Sequence, residues 1–210
     1  MEYLSLIGTV TLLNLLAVMS PGPDFVMVVR NSLCYSRRAG VYTSLGISTG
    51  LLIHLFYCLA GIGLIISKSV VLFSIIKILG AGYLIYLGTG SILSKSSRLN
   101  LKEMVTGTDL EPFQAFKIGF LTNILNPKVT LFMLSIFTFV IGKDTPLYVI
   151  LIISVIILLT ALIWFSIVST FFTQKKVQKA FFKYEYIINS FLGIILIFIG
   201  VKIALTFLPL

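Results

Sequence analysis

Ser20-Pro21-Gly22-Pro23-Asp24 stands inside an apolar run, between Leu4-Ser5-Leu6-Ile7 and Phe25-Val26-Met27-Val28-Val29. Two prolines and a glycine do not continue an ordinary helix, because each proline lacks an N–H and clashes with the preceding turn. Asp24 follows at once and is the only carboxylate in any apolar segment of the chain. In lipid, a broken helix beside a carboxylate is tolerated only where the freed backbone faces protein or a water-filled cavity. Pro21, Gly22 and Pro23 therefore read as a helix break, and Asp24 as a candidate site residue.

The surrounding composition fixes the solvent. Of 210 residues, 58% are hydrophobic and 11% charged, with a mean hydropathy of +1.09. Soluble domains carry roughly 25% charged residues, so the chain reads as an all-α integral membrane protein. The lipid bilayer is its surrounding partner. A net charge of +9 would point to nucleic acid in a soluble domain. Here the basic residues lie between apolar runs and report topology, so no nucleic-acid partner is expected. Met1-Glu2-Tyr3 offers no basic n-region, and the first apolar run is expected to be a retained span.

Runs of roughly 20 apolar residues suffice to cross the hydrocarbon layer. They fall at about Leu4–Val29, with helix continuing towards Ser36, then Val41–Ile66, Val70–Leu93, Phe113–Ile141, Leu147–Phe172 and Ile187–Leu208. Six transmembrane helices are expected. Three inter-span stretches carry Arg30, Arg37 and Arg38; Lys95, Arg98, Lys102 and Lys117; and Lys175, Lys176, Lys179 and Lys183. The opposite side has Lys68 and Lys143. The positive-inside bias makes the first three stretches cytoplasmic and places both termini outside.

Three spans precede the polar stretch Ser94–Glu111 and three follow it. An odd number of spans per half inverts the second half. The halves also correspond locally. Pro23-Asp24 in the first span answers Asn126-Pro127-Lys128 in the fourth. Leu79-Gly80 and Gly88 in the third answer Leu192-Gly193 and Gly200 in the sixth. The chain thus reads as a single transporter domain, residues 1–210, of two inverted three-helix repeats, about 1–93 and 112–210, joined by the linker 94–111. Each repeat is opened by a proline-broken helix, the pattern in which substrate binds between repeats near the midplane.

Asp24 and Lys128 occupy equivalent places with opposite charge. A zwitterionic amino acid needs an anion for its ammonium and a cation for its carboxylate, and this pair supplies both. They can alternatively pair with each other, and Asp24 can carry a coupling proton. A purely structural ion pair is the bland reading. Asn14, Asn123 and Asn126 can bond substrate or repair backbone groups freed by the prolines. Lys77 is either a second buried cation or a side chain reaching the interface, and the latter is favoured. Lys202 reads as an interfacial anchor, and Arg30 with Asn31 as an anchor or a cavity mouth. His54 shares a stripe with Gly46, Gly50 and Cys58, four residues apart, and reads as an inter-helix hydrogen-bonder rather than a proton relay. Trp164, Tyr83 and Tyr86 can line a pocket or simply pack.

Three blocks resemble one known family. They are Ser20-Pro21-Gly22-Pro23-Asp24-Phe25 with Arg30-Asn31-Ser32-Leu33 and Arg37-Arg38-Ala39-Gly40; Lys77 and Gly80 with Tyr83-Leu84 and Leu87-Gly88; and Gly119-Phe120-Leu121 with Asn123 and Asn126-Pro127-Lys128. Together they resemble the LysE/RhtB family of amino-acid exporters, in its homoserine, threonine and leucine efflux branch. The resemblance implies a six-helix protein of the plasma (inner) membrane that exports amino acids, with protons as the exchanged ion. The partners expected are an amino acid and a proton, and a homodimer is one assembly open to it.

The pathway is thus expected at Asp24, Lys128, Asn126, Asn123, Asn14 and Lys77, around breaks at Pro21, Gly22, Pro23 and Pro127. Export of another solute or cation is the nearest rival. A metal site wants several acids or His and Cys ligands together. Asp24 and His54 are too few, so no metal or cofactor is expected. A thiol relay would make the chain an enzyme and would need a cysteine in each half, but Cys34 and Cys58 are both in the first. Catalysis is not expected.

Overall fold

The structure is a computed structural model and describes residues 2–68, 70–93, 109–140 and 145–205. All the described regular structure is helical. The helices are α1 (Glu2–Met19), α2 (Pro23–Cys34), α3 (Arg37–Lys68), α4 (Val70–Leu93), α5 (Pro112–Ile124), α6 (Pro127–Val140), α7 (Leu147–Phe171) and α8 (Lys175–Leu205).

Both proline breaks are where the sequence puts them. Pro23 and Pro127 each stand at the first position of a new helix, where a missing N–H leaves nothing further unsatisfied. α1 and α2 meet at 51°, and α5 and α6 at 57°. α2 runs past Arg30 to Cys34, so Asp24 lies at the bend, not near a helix end at Arg30. Among the described residues, Arg37–Gly61, Leu147–Phe171 and Tyr186–Leu205 are long and apolar enough to cross a membrane, and the two bent pairs bring the number to five.

One stretch differs from expectation. Lys175–Lys183, read from its charge as a connecting segment, forms the opening turns of α8. Lysine, glutamine and alanine are good helix formers. Charge marks where lipid ends, and the helix goes on beyond it. The linker 94–108 lies outside the described residues. Its last part, Asp109, accepts a 2.8 Å hydrogen bond from Ser36 Oγ, which also accepts the Ala39 N–H at the start of α3. The first connecting segment and the linker's end therefore share one face of the protein.

Lipid supplies no hydrophobic drive for helix association, so close backbone approach and polar contacts carry it. Gly46 lies against the Phe116 carbonyl and Gly119 against the Thr43 carbonyl, so α3 and α5 touch backbone to backbone. A Cβ on Gly88 would stand 2.6 Å from the Gly193 carbonyl oxygen, and a Cβ on Gly193 2.5 Å from that of Gly88. These glycines bring α4 and α8 together. The packed interior includes Phe25, Val28, Ile47, Phe137, Ile153 and Leu196. Phe56, Leu147, Phe191 and Phe198 are exposed on the outside. Large apolar side chains facing outward suit a lipid surround.

Candidate functional site

The bends bring α2, α5 and α6 to one point. Asp24 is the second residue of α2 and is buried. Its Oδ2 accepts a hydrogen bond from Asn123 Nδ2 at 2.7 Å, and its Oδ1 one from Asn126 Nδ2 at 3.1 Å. Two donors on two oxygens match an ionised carboxylate, which only accepts. Asn126 is itself fixed: its Oδ1 accepts the Lys128 N–H at 3.0 Å, a side-chain cap on α6. One amide thus caps the second half-helix and holds the acid of the first.

Lys128 does not pair with Asp24. Its ammonium donates to the Ser20 carbonyl oxygen at 3.1 Å, and the described residues contain no ion pair between the two groups. The direct pairing entertained from sequence is therefore absent. The amides of Asn123 and Asn126 already occupy the carboxylate, and the freed carbonyl at Ser20 offers the ammonium another acceptor. Gly22 makes room for this, since a Cβ there would lie 3.3 Å from Lys128 Nζ. An ammonium has three donors, and this bond uses one.

The second break frees a carbonyl as well. Asn123 O would accept from residue 127 in a continuous helix, but that residue is proline. His54 Nε2 takes it instead at 3.1 Å, and the Asn126 N–H shares it at 3.0 Å. A carbonyl only accepts, so the hydrogen-bond network assigns His54 the Nε2–H tautomer. Its Nδ1 lies 2.6 Å from the Tyr57 hydroxyl. His54 is an inter-helix hydrogen-bonder, as its glycine stripe suggests. Gly50 is part of the reason, because a Cβ there would press to 2.7 Å on Asn123 Oδ1.

Asp24, Lys128, Asn123 and Asn126 line one cavity of about 50 Å³ together with Asn14 on α1. Asn14 Nδ2 is buried and has no hydrogen-bond partner among the described residues. Leu51, Phe132 and Phe165 form apolar wall. The space admits a few waters. Of the other residues singled out, Asn31 is buried and donates to Thr43 Oγ1 at 2.9 Å, tying α2 to α3. Arg30 and Lys202 are exposed. Trp164 and Tyr83 pack against the hydrophobic core. The Lys77 side chain lies outside the described residues.

A second cavity, of about 340 Å³, adjoins the first and is lined by Tyr86 and Ser91 of α4 and Asn189 of α8, with Ser20, Gly22 and Lys128. Sequence reading passed over Ser91 and Asn189. Asn189 carried a signal, as an amide in an apolar run, but nothing in the sequence puts it opposite the first break.

The chain is similar over most of its length to bacterial membrane proteins. It is 34% identical to the uncharacterized membrane protein YrhP of Bacillus subtilis, over 90% of this chain and 93% of that protein. It is 28% identical to the threonine efflux protein of Salmonella typhi, over 97% and 99%. It is 33% identical to the leucine efflux protein of Salmonella choleraesuis, over 61% and 60%. No solved structure matches it. The family model described as LysE type translocator matches residues 15–206, and the chain belongs to that family.

Proposed function

We propose that this protein is a secondary active exporter that moves amino acids out of the cytoplasm by exchange with protons, across the plasma membrane. The observation that carries the reading is one cavity where two helices break. It holds a carboxylate, an ammonium and an unpartnered buried amide donor. Asp24 receives the substrate ammonium, and Lys128 leaves the Ser20 carbonyl to receive its carboxylate. Asn14 donates to the same carboxylate. Asn123 and Asn126 position Asp24. Proton coupling falls to Asp24, the one carboxylate in the cavity.

The architecture proposed is six crossings, with α4 as the sixth, arranged as two inverted repeats with both termini outside. Contacts between α4 and α8 support the repeat. Gly88 meets Gly193, and Gly200 meets Ala81 and Ile85. Exchanging the halves by the correspondence of Gly80 with Gly193 turns the first contact into the second within one residue. The Arg and Lys distribution supports the orientation. Relatives named for threonine and leucine efflux make those two amino acids the first substrates to try.

The test is efflux from preloaded cells or vesicles across a panel of amino acids, with and without a proton gradient. At least one amino acid should leave faster than from cells lacking the protein, and collapse of the gradient should remove the difference. The reading is sunk if no member of the panel leaves faster.

A further inference from the structure

The two cavities share three lining residues, Ser20, Gly22 and Lys128. The partition between them is thus the Lys128 side chain lying over Gly22 and bonded to the Ser20 carbonyl. The larger cavity lies on the α2 side of the first break, with Val26, and against the last turns of α4, from Tyr86 to Ser91. Those helix ends lead to Arg37 and Arg38 and to the linker, the face that the basic residues make cytoplasmic. Its volume is within the range of small-molecule sites, roughly 300–1,000 Å³. Ser20 and Ser91 both line it, and their hydroxyls stand 3.4 Å apart.

We propose that this larger cavity is a vestibular subsite that binds the α-carboxylate of a cytoplasmic amino acid first, before its ammonium reaches Asp24. The proposal rests on the export reading and extends it. The vestibule is lined by one cation, Lys128, the hydroxyl side chains of Ser20, Tyr86 and Ser91 and the amide of Asn189, with no carboxylate among its described lining residues. It therefore pairs its one charge with the anionic end of a zwitterion and offers the cationic end only neutral oxygens. Asp24 lies beyond the partition and is held by two amides. A carboxylate arriving in the vestibule competes with the Ser20 carbonyl for the Lys128 ammonium. A full negative charge makes the stronger hydrogen bond, so the substrate draws the partition open as it binds. The ammonium then follows into the smaller chamber.

Gly90 gives the first test, because it lines the vestibule and a Cβ there meets nothing within 4 Å. Gly90→Phe should fold, fill the vestibule and lower efflux about tenfold at limiting cytoplasmic substrate. Gly82→Phe, on the same helix with the same open space but outside both cavities, is the control and should match wild type. The second test is labelling of Ser91→Cys with a membrane-impermeant maleimide in inside-out vesicles. Cys34 and Cys58 are buried and give little background.

L-threonine and 2,3-dihydroxybutyrate, which lacks the ammonium, should protect the thiol. 1-Aminopropan-2-ol, which lacks the carboxylate, should not. The corresponding leucine set replaces these where leucine moves faster. Protection by the amine alone, or by none of the three, overturns the proposal, as does Gly90→Phe efflux equal to that of Gly82→Phe. Absence of wild-type efflux sinks the export reading instead, and the labelling still reports on the vestibule.

Discussion

The two helix breaks begin alike and end differently. Each starts its second half with proline followed by a charged residue, Pro23-Asp24 in one and Pro127-Lys128 in the other. Asp24 is held on both oxygens by amides from the opposite break. Among the described residues the Lys128 ammonium has one bond, to a backbone carbonyl, which uses one of its three donors. The freed carbonyls repeat the contrast. That of Asn123 is taken by the buried His54 ring, whose other nitrogen lies against the Tyr57 hydroxyl. That of Ser20 is taken by a long, half-buried lysine. The acid is built in, and the base is tied by a bond it can exchange. On the export reading proposed above, Asp24 would be the fixed partner of the cargo and Lys128 the one that moves.

The largest expected effect breaks the fixed side. In Asp24→Asn the new amide would turn an NH₂ towards one of two donors, and Asn126 cannot flip to receive it without giving up the cap on α6. The carboxylate proposed to receive the substrate ammonium is also gone. The variant should insert in the membrane in normal amount, and efflux driven by the proton gradient should fall to the level of cells lacking the protein. Efflux equal to wild type would reduce Asp24 to a structural role and remove the contrast between the breaks.

The second effect acts on the exchangeable side. A hydrogen bond to a charged group contributes about 1.5–3 kcal/mol, and each 1.4 kcal/mol is about tenfold in affinity. Lys128→Met keeps the length of the side chain and loses the ammonium. Its half-saturating cytoplasmic concentration should rise roughly ten- to a hundredfold, measured as efflux against internal substrate. Stability should change little, since the lost partner is one carbonyl beside a cavity large enough to admit water. A marked loss of stability with unchanged half-saturation would make Lys128 a structural clamp, and the two breaks would then be alike after all.

How much of this was legible in the sequence depends on the range of the cause. Proline acts on its own turn, so both breaks could be placed to the residue. The association of Asp24 with Lys128 needed only their matching places after the two proline breaks, and the two do line one cavity. Their failure to form an ion pair was not legible. It depends on Asn123 and Asn126 reaching Asp24 first, which follows from how closely Gly46, Gly50 and Gly119 let α3 approach α5. The helical course of Lys175–Lys183 was missed because charge was read as connection. The larger cavity was missed because Ser91 and Asn189 lie on helices with no proline or charge to mark their facing sides.

The smallest expected effect asks whether His54 only supports the second break. His54→Ala removes the Nε2–H donor from Asn123 O, which keeps the Asn126 N–H. A buried acceptor losing a partner costs about 1–3 kcal/mol, and the remaining bond puts the loss at the low end, about 1 kcal/mol. The thermal midpoint in detergent should fall accordingly. His54→Gln can place an amide N–H near the same carbonyl and should recover most of it, with gradient-driven efflux within about twofold of wild type. A relay would behave differently, because glutamine cannot take up and release a proton at working pH. If His54→Gln inserts normally and still transports down an amino-acid gradient but no longer responds to the proton gradient, His54 carries protons. His54 would then be part of the coupling machinery as well as a support for the second break.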